Sequence, residues 1–322
     1  MQRKNRIKLM RETIMNLPGL IVPPLTPFLD DRSVDYSTLE REVDYIVEEC
    51  NAAMVSAAGV EATEYQYLTY ESRCELIRRT IEFVNNRVPV IVGVSHSNVD
   101  IAIKLSCKAQ KLGAAGVQIL APLRPFGGTP TLEDLMAYYD AIAIEIDLPI
   151  MLYLNPGPGC EVSPLWTIEL AKMNQIKWVK ESSRDLSRCA RLIEEIDNSG
   201  YAHYFTTVQM LLASISIGGS GATMPPPIAY IANALIIAFK DKRYEEACRL
   251  QKQFSLFPAC WMNFGLTPAL KAAMEIIGLP IGKPYPPFKA VEGSQLIELK
   301  DLLKKTYLFE EEHKARIKKY MV

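Results

Sequence analysis

The sequence reads PIMLYLNP at residues 149–156 and IKWVKESS at residues 176–183. Each stretch is a short apolar run that ends in polar residues, which is typical of a buried β-strand followed by a loop. The segment between them, 164–173, has helical periodicity and begins after a serine, a residue type that commonly caps helices. A strand, a helix and a strand in this order predict one βαβ unit with parallel strands.

The same alternation extends over most of the chain. Eight candidate strands are found at 19–22, 53–57, 88–94, 116–120, 149–154, 176–180, 203–206 and 221–224. Candidate helices are found at 36–49, 71–84, 99–112, 132–146, 164–173, 186–196, 228–239, 243–254 and 266–277. Eight strand–helix units in one series are what a closed barrel requires, whereas an open doubly wound sheet commonly has fewer strands. The sequence therefore predicts an α/β fold, a (β/α)8 TIM barrel.

Three regions are expected along the chain. Residues 1–17 are predicted to form an N-terminal appendage, 18–240 the barrel and 241–322 a C-terminal helical extension. No Gly/Ser-rich linker separates the barrel from the extension, so the two are expected to form one structural unit.

The composition limits the classes of partner. Lys and Arg number 36 against 37 Asp and Glu, so the formal net charge of -1 gives no long-range field to attract nucleic acid or a membrane surface. The 7 cysteines show no CxxC spacing, which predicts reduced thiols and a cytoplasmic protein. The 3 histidines lack metal-ligand spacing, and no phosphate-binding glycine loop follows a strand, so no metal or cofactor is predicted. The expected partner is a small-molecule substrate.

Lys180 ends the sixth candidate strand. Reactive groups of (β/α)8 barrels lie at the carboxyl ends of the strands, and alternation places Lys180 on the same face as Ile176 and Trp178. If that face is the barrel interior, burial favours the neutral amine, which can attack a ketone carbon to give an imine. The alternative is a solvated lysine, or one that is paired with Glu181.

Tyr153 ends the fifth candidate strand, so its side chain is expected to meet Lys180 at the mouth of the barrel. A phenol in that place can relay a proton between the attacking amine, the carbinolamine hydroxyl and a substrate oxygen. The alternative is a packing aromatic with a hydrogen-bonded hydroxyl.

Five short motifs carry a resemblance to a known family. They are PPLTPF at 23–28, LYLNP at 152–156, VKESS at 179–183, GGSGA at 218–222 and GLP at 278–280. With them, the chain resembles the dihydrodipicolinate synthase and N-acetylneuraminate lyase superfamily of class I aldolases. The resemblance implies a homotetramer without a cofactor, in which Lys180 forms a Schiff base with pyruvate or another 2-oxo acid and Tyr153 shuttles protons.

The reaction implied by the resemblance is the making or breaking of a carbon–carbon bond with an aldehyde partner, which is a lyase activity. The same imine also supports dehydration of a 2-oxo-3-deoxy sugar acid, or hydration followed by aldol cleavage. A third hypothesis, from another class, is a catalytically inactive barrel that binds a 2-oxo acid. The presence of both Lys180 and Tyr153 favours an enzyme.

The loop after strand two departs from the family pattern. The family has a Gly-Thr-Thr-Gly-Glu or similar loop that holds the substrate carboxylate and the tyrosine, whereas residues 56–65 read SAAGVEATEY. Backbone N–H groups of Gly59, Val60 and Glu61 are predicted to bind the carboxylate, because that contact needs no side chain. Thr63 is expected to supply the missing hydroxyl. Glu61 or Glu64 is expected to act on the second substrate, and the alternative for each is a solvated loop residue or a helix cap.

Two further departures concern specificity. Synthases that make dihydrodipicolinate have an arginine shortly after the strand-five tyrosine, but residues 155–160 read NPGPGC. They also insert a tyrosine after strand four, where this chain has Arg124. Arg124 is predicted to bind an anionic substrate group, with a surface role as the alternative. Thr207 and Ala222 complete the candidate substrate-binding residues. These departures predict an acceptor other than that of the dihydrodipicolinate synthases.

Overall fold

The computed structural model describes residues 17–62, 64–124, 129–255 and 265–320 of the chain. Within these ranges, eight strands form one closed parallel barrel in sequence order, with the last strand paired to the first. The strands are β1 Gly19–Val22, β2 Met54–Ala57, β3 Val90–Gly93, β4 Gly116–Leu120, β5 Ile150–Leu154, β6 Ile176–Glu181, β7 His203–Thr206 and β8 Gly221–Thr223. The predicted TIM barrel is confirmed.

A helix follows each strand on the outside of the barrel. These helices are α1 Tyr36–Glu48, α2 Tyr70–Val84, α3 Val99–Lys111, α4 Leu132–Ala143, α5 Pro164–Ala171, α6 Leu186–Leu192, α7 Leu211–Ser216 and α8 Pro226–Lys240. The described residues after α8 form α9 Tyr244–Gln253, α10 Leu266–Ile277, α11 Gly293–Leu303 and α12 Glu311–Ile317. Both α9 and α10 pack against α8.

In the described ranges, no helix has the length and apolar character needed to span a membrane. Of the predicted appendage at 1–17, all but the last residue lies outside the described residues.

Capping side chains explain where the helices begin. The Thr131 hydroxyl accepts from the Asp134 N–H, and the Asp134 carboxylate accepts from the Thr131 N–H, which is a capping box at the start of α4. Ser163 caps α5, which has Pro164 at its first turn. The predicted helix at 186–196 divides into α6 and a wide turn, because the N–H of Asn198 bonds a carbonyl five residues earlier.

Strand β6 contains a bulge that simple alternation does not predict. Its pairing with β5 skips Lys177, which is an extra residue between Ile176 and Trp178. Ile176 packs in the core between strands and helices, whereas Trp178 points into the barrel. The expectation that Ile176 shares a face with Trp178 and Lys180 is therefore wrong, because the bulge interrupts the alternation of faces.

Large apolar side chains fill the barrel interior below the strand ends. They are Ile21, Met54, Ile91, Met151, Trp178 and Phe205, and they form a cluster separate from the larger core under the helices. A barrel interior of this kind is packed core and not a pore. Groups at the carboxyl ends of the strands therefore lie above a layer of packed apolar side chains.

Lys271 on α10 ties the C-terminal helices to the barrel mouth. Its Nζ donates to the Thr26 carbonyl after β1 at 2.8 Å and forms an ion pair with Glu64 Oε2 after β2 at 2.9 Å. Both charged side chains are only 2% exposed. Glu64 Oε1 also accepts from the Tyr285 N–H. The loop after β2 is therefore fixed from the C-terminal side by a buried charge pair.

Candidate active site

Lys180 lies at the carboxyl end of β6, in register with Tyr153 on β5 and Phe205 on β7. Its side chain follows Trp178 on the inner face, and the residue is 3% exposed. Burial lowers the pKa of Lys180 to about 8, although the charges of Glu61 and Glu181 partly oppose the effect. Such a lysine supplies far more neutral amine at neutral pH than a solvated lysine does.

A hydrogen bond and an aromatic ring position the Lys180 amine, and neither contact pairs it with a negative charge. Lys180 Nζ donates to Ser182 Oγ at 2.6 Å and lies 4.5 Å from the centroid of the Tyr153 ring. Glu181 is turned to the opposite face, where it accepts from Arg188 Nε at 3.0 Å and from the Tyr204 hydroxyl at 2.9 Å. The alternative in which Glu181 pairs with Lys180 is therefore not adopted.

Tyr153 presents its phenol beside this amine. The residue is 2% exposed, and its oxygen accepts from Asn155 Nδ2 at 2.9 Å. Burial raises the pKa of Tyr153, and Glu61 raises it further, while hydrogen bonding with Ser182 and Asn155 acts in the opposite direction. The phenol is therefore protonated at neutral pH and can donate a proton.

Gly59, Val60 and Glu61 form the tight turn that follows β2. A Cβ on Gly59 would lie 2.5 Å from Ser56 Oγ, so a larger residue in the turn would force the Ser56 side chain to move. The Val60 N–H donates to Gln118 Oε1 at 3.4 Å, and Gln118 Nε2 donates to Glu61 Oε1 at 3.2 Å. One amide side chain on β4 therefore holds the predicted carboxylate-binding turn.

Glu61 adds its own carboxyl group to the site. Its Oε2 is buried and has no hydrogen-bond partner in the described part of the chain. The Glu61 charge raises the pKa of both Lys180 and Tyr153, so the carboxyl acts on both candidate catalytic groups. Burial raises the pKa of Glu61 itself, and Lys180 opposes that effect. The solvated alternative for this carboxyl is wrong.

Thr63 and Glu64 are the other two polar residues for which a role was predicted in this loop. Thr63, predicted to supply a hydroxyl, lies outside the described residues. Glu64 is neither solvated nor turned to a second substrate, because it is buried in the ion pair with Lys271. That prediction is wrong.

The remaining predicted substrate-binding residues are Thr207, Ala222 and Arg124, and they differ in whether their side chains can reach a substrate. Thr207 follows β7 and is 8% exposed, and its hydroxyl has no partner among the described residues, which suits a substrate contact. The Ala222 methyl packs in the core under the helices, so a substrate contact there is limited to backbone atoms. Arg124 is exposed and forms an ion pair with Asp134 at the start of α4. No contact within the described ranges joins Arg124 to Lys180.

Three polar groups of the site were not predicted from the sequence. Ser182 lies in the VKESS motif, and its hydroxyl accepts a hydrogen bond from the Lys180 amine. Gln118 is a fully buried amide within the apolar strand β4, and a polar residue at such a position is a usable signal. Thr223 ends β8 in register with Ile21, and its buried hydroxyl has no partner in the described residues.

A cavity of about 500 Å³ lies under the loops that follow β2, β3 and β4. Its lining includes Tyr65, Arg73, Ser95, His96, Leu120 and Pro122. Lys180 and Tyr153 are not in this lining, so the reacting groups occupy a separate part of the barrel mouth.

Comparisons with known proteins identify the family and agree with the fold. The dihydrodipicolinate synthetase family matches residues 16–306. A 4-hydroxy-tetrahydrodipicolinate synthase of Halalkalibacterium halodurans is 30% identical over 289 residues, which cover 88% of this chain and 96% of that protein. A prophage protein of E. coli K12 from the dihydrodipicolinic acid synthase family, solved in complex with pyruvate, has a TM-score of 0.82 and 22% identity over 89% of this chain and 97% of that chain. An N-acetylneuraminate lyase from Mycoplasma synoviae has a TM-score of 0.77 and 21% identity over 90% of this chain and 97% of that chain.

Proposed function

The chain belongs to the dihydrodipicolinate synthetase family, and from that premise we propose that it is a pyruvate-dependent class I lyase that forms a Schiff base on Lys180. The observation that carries the proposal is the buried Lys180 amine beside the Tyr153 phenol, above the apolar side chains that fill the barrel. With a pKa of about 8, about a tenth of the amine is neutral at pH 7, which is a few hundred times the fraction for an ordinary lysine.

The reaction begins when the neutral amine attacks C2 of the 2-oxo acid. The carbinolamine loses water to give an imine, which withdraws electrons from C3 and permits a C–H or C–C bond to break there. The resulting enamine attacks an aldehyde, or is itself the product of aldehyde release. Tyr153 is protonated and stands next to the amine, which supports its role as the group that moves protons to and from the substrate oxygens.

The turn at Gly59, Val60 and Glu61 is proposed to bind the carboxylate of the 2-oxo acid through backbone N–H groups other than that of Val60, which already donates to Gln118 Oε1. The unpartnered hydroxyls of Thr207 and Thr223 are proposed as further polar contacts. The site offers no arginine between Tyr153 and Cys160, which supports an acceptor other than the one that dihydrodipicolinate synthases use.

Exchange of the pyruvate methyl protons with solvent deuterium tests this proposal. An enamine must form and be reprotonated for exchange to occur, so the protein is expected to deuterate pyruvate and Lys180→Ala to lose this activity. Lys177→Ala, which removes an exposed lysine of the same strand, serves as the matched control and is expected to exchange normally. Equal exchange by wild type and Lys180→Ala would refute the assignment of the imine to Lys180.

A further inference from the structure

Asn155 lies beside the Tyr153 phenol at the mouth of the barrel. It comes two residues after Tyr153, directly after the end of β5, and its Nδ2 donates to the Tyr153 oxygen at 2.9 Å. The amide therefore contacts the oxygen through which Tyr153 would move protons.

The backbone around Asn155 is held in place by the turn that it begins. Pro156 follows Asn155, and a residue before proline is biased toward extended backbone, which continues the geometry of the strand. The Asn155 carbonyl accepts from the Gly159 N–H at 3.0 Å, which closes the turn. A Cβ on Gly159 would lie 2.7 Å from the Ala121 carbonyl oxygen, so the turn packs tightly against the chain after β4. A short, fixed turn therefore places the amide beside the phenol.

The direction of this hydrogen bond determines where the phenolic proton points. A phenol oxygen carries one hydrogen and can also accept hydrogen bonds. Because the Asn155 N–H occupies an accepting position, the Tyr153 O–H is directed away from Asn155. The Lys180 amine lies 4.5 Å from the centroid of the Tyr153 ring, and it is fixed there by its hydrogen bond to Ser182 Oγ at 2.6 Å. The phenolic proton is thus left free for a substrate bound at the amine.

The Asn155 amide also favours the phenolate that forms when Tyr153 gives up its proton. A hydrogen bond becomes stronger when its acceptor is charged. Burial raises the pKa of Tyr153 and so disfavours the phenolate, whereas the hydrogen bond with Asn155 acts in the opposite direction. The amide has no charge of its own, so it gives this support without pairing with the Lys180 amine.

We propose that Asn155 is the positioning residue of Tyr153, a role that rests on the Schiff-base function proposed above. Its amide directs the phenolic proton toward the substrate on Lys180 and stabilises the phenolate between proton transfers. Tyr153 donates this proton to the carbinolamine hydroxyl, which leaves as water and gives an iminium ion. The phenolate then takes a proton from C3 of the iminium ion, which gives the neutral enamine and restores the phenol.

Deuterium exchange into pyruvate, measured with three variants, tests this role. Asn155→Ala removes the amide, and Asn155→Asp replaces it with a group of the same size that accepts instead of donating. Asn174→Asp, at an exposed position before β6, is the matched control and is expected to exchange as wild type does. The exchange rate at saturating pyruvate and the pyruvate concentration that gives half this rate are measured for each protein. Borohydride trapping at equilibrium gives the amount of adduct on Lys180.

The two substitutions of Asn155 are expected to differ in a defined order. Exchange at saturating pyruvate slows by about 10-fold in Asn155→Ala, which loses one hydrogen bond to a charged acceptor. It slows by about 100-fold in Asn155→Asp, because the carboxylate accepts from the phenol and repels the phenolate. A residue that only fills space predicts the opposite order, since aspartate matches asparagine in size and alanine does not. The half-saturating pyruvate concentration and the adduct on Lys180 stay at their wild-type values, because proton transfer changes and binding does not.

Three results would overturn the inference. Exchange in Asn155→Asp that is as fast as in Asn155→Ala, or faster, would mean that the side chain fills space or accepts from the phenol. A wild-type rate in Asn155→Ala would mean that the phenol needs no amide, and this variant remains decisive if Asn155→Asp does not fold. A raised half-saturating concentration with an unchanged maximal rate would assign Asn155 to pyruvate binding instead. Exchange and an adduct on Lys180 in wild type would leave the Schiff-base proposal standing in each case, whereas the absence of both would overturn both proposals.

Discussion

Lys271→Met is expected to weaken the fold by about 3–5 kcal/mol, the usual cost of removing one partner from a buried ion pair. Lys271 Nζ and Glu64 Oε2 are 2.9 Å apart and both side chains are 2% exposed. At that distance the Coulomb attraction is about 6 kcal/mol for an effective dielectric constant of about 20, and desolvation reduces the net value. The variant leaves the Glu64 carboxylate with the Tyr285 N–H but without a counter-ion.

The deficit is expected to grow with pH. Burial already raises the pKa of Glu64, and loss of Lys271 removes an interaction that lowers it. A carboxyl with a raised folded-state pKa takes up a proton on folding, so the variant is least impaired at acid pH and loses stability as the pH rises through that pKa. Adding Glu64→Gln to Lys271→Met removes the unpaired charge and is expected to restore part of the loss at alkaline pH.

Urea denaturation of these variants at acid and at alkaline pH measures the effect. Lys172→Met is the matched control, because its ion pair with Glu169 is exposed to solvent and is expected to contribute little to stability. The reasoning would be refuted if Lys271→Met cost no more than Lys172→Met at alkaline pH, or if its deficit did not depend on pH.

Three other expectations follow. Tyr153→Phe keeps the buried ring but loses the phenolic proton, so deuterium exchange into pyruvate, followed by NMR, is expected to slow by about 100-fold; an unchanged rate would exclude the proton shuttle. Burial raises the pKa of Glu42 to about 8 from an ordinary value of 4.5, so the free energy of unfolding is expected to fall as the pH rises between these values. Glu42→Gln is expected to reduce this fall when stability is measured by urea denaturation. The same pH dependence in wild type and Glu42→Gln would contradict this. Light scattering is expected to give the mass of four chains, as the family resemblance implies, and a monomeric mass would contradict the homotetramer.

The order of the elements was predictable because it depends on periodicity, which is a local property of the sequence. Each strand of the barrel coincides with a predicted apolar run to within a few residues. The bulge at Lys177 was not predictable, since it depends on the register between β5 and β6 and not on β6 alone. Lys180 nevertheless shares the face of Trp178, as alternation predicts, because the bulge lies before Trp178.

The positions of Lys180 and Tyr153 at strand ends were predicted, whereas Thr223 at the end of β8 and the side-chain contacts of the turn after β2 were not. Lys180 and Tyr153 follow from strand position together with the family motifs. The direction of the Glu61 side chain depends on a contact with Gln118, which is distant in the sequence. The burial of Glu64 likewise depends on Lys271, whose helix lies in the C-terminal region.

Borohydride trapping followed by peptide mapping tests the central claim most directly. The protein is incubated with pyruvate, reduced and digested, and every lysine-containing peptide is examined for a reduced pyruvyl group. A single modified site at Lys180, absent in Lys180→Ala and retained in Lys177→Ala, is the predicted result. Modification of other lysines alone, or none with pyruvate or any other 2-oxo acid, would contradict the proposed Schiff base.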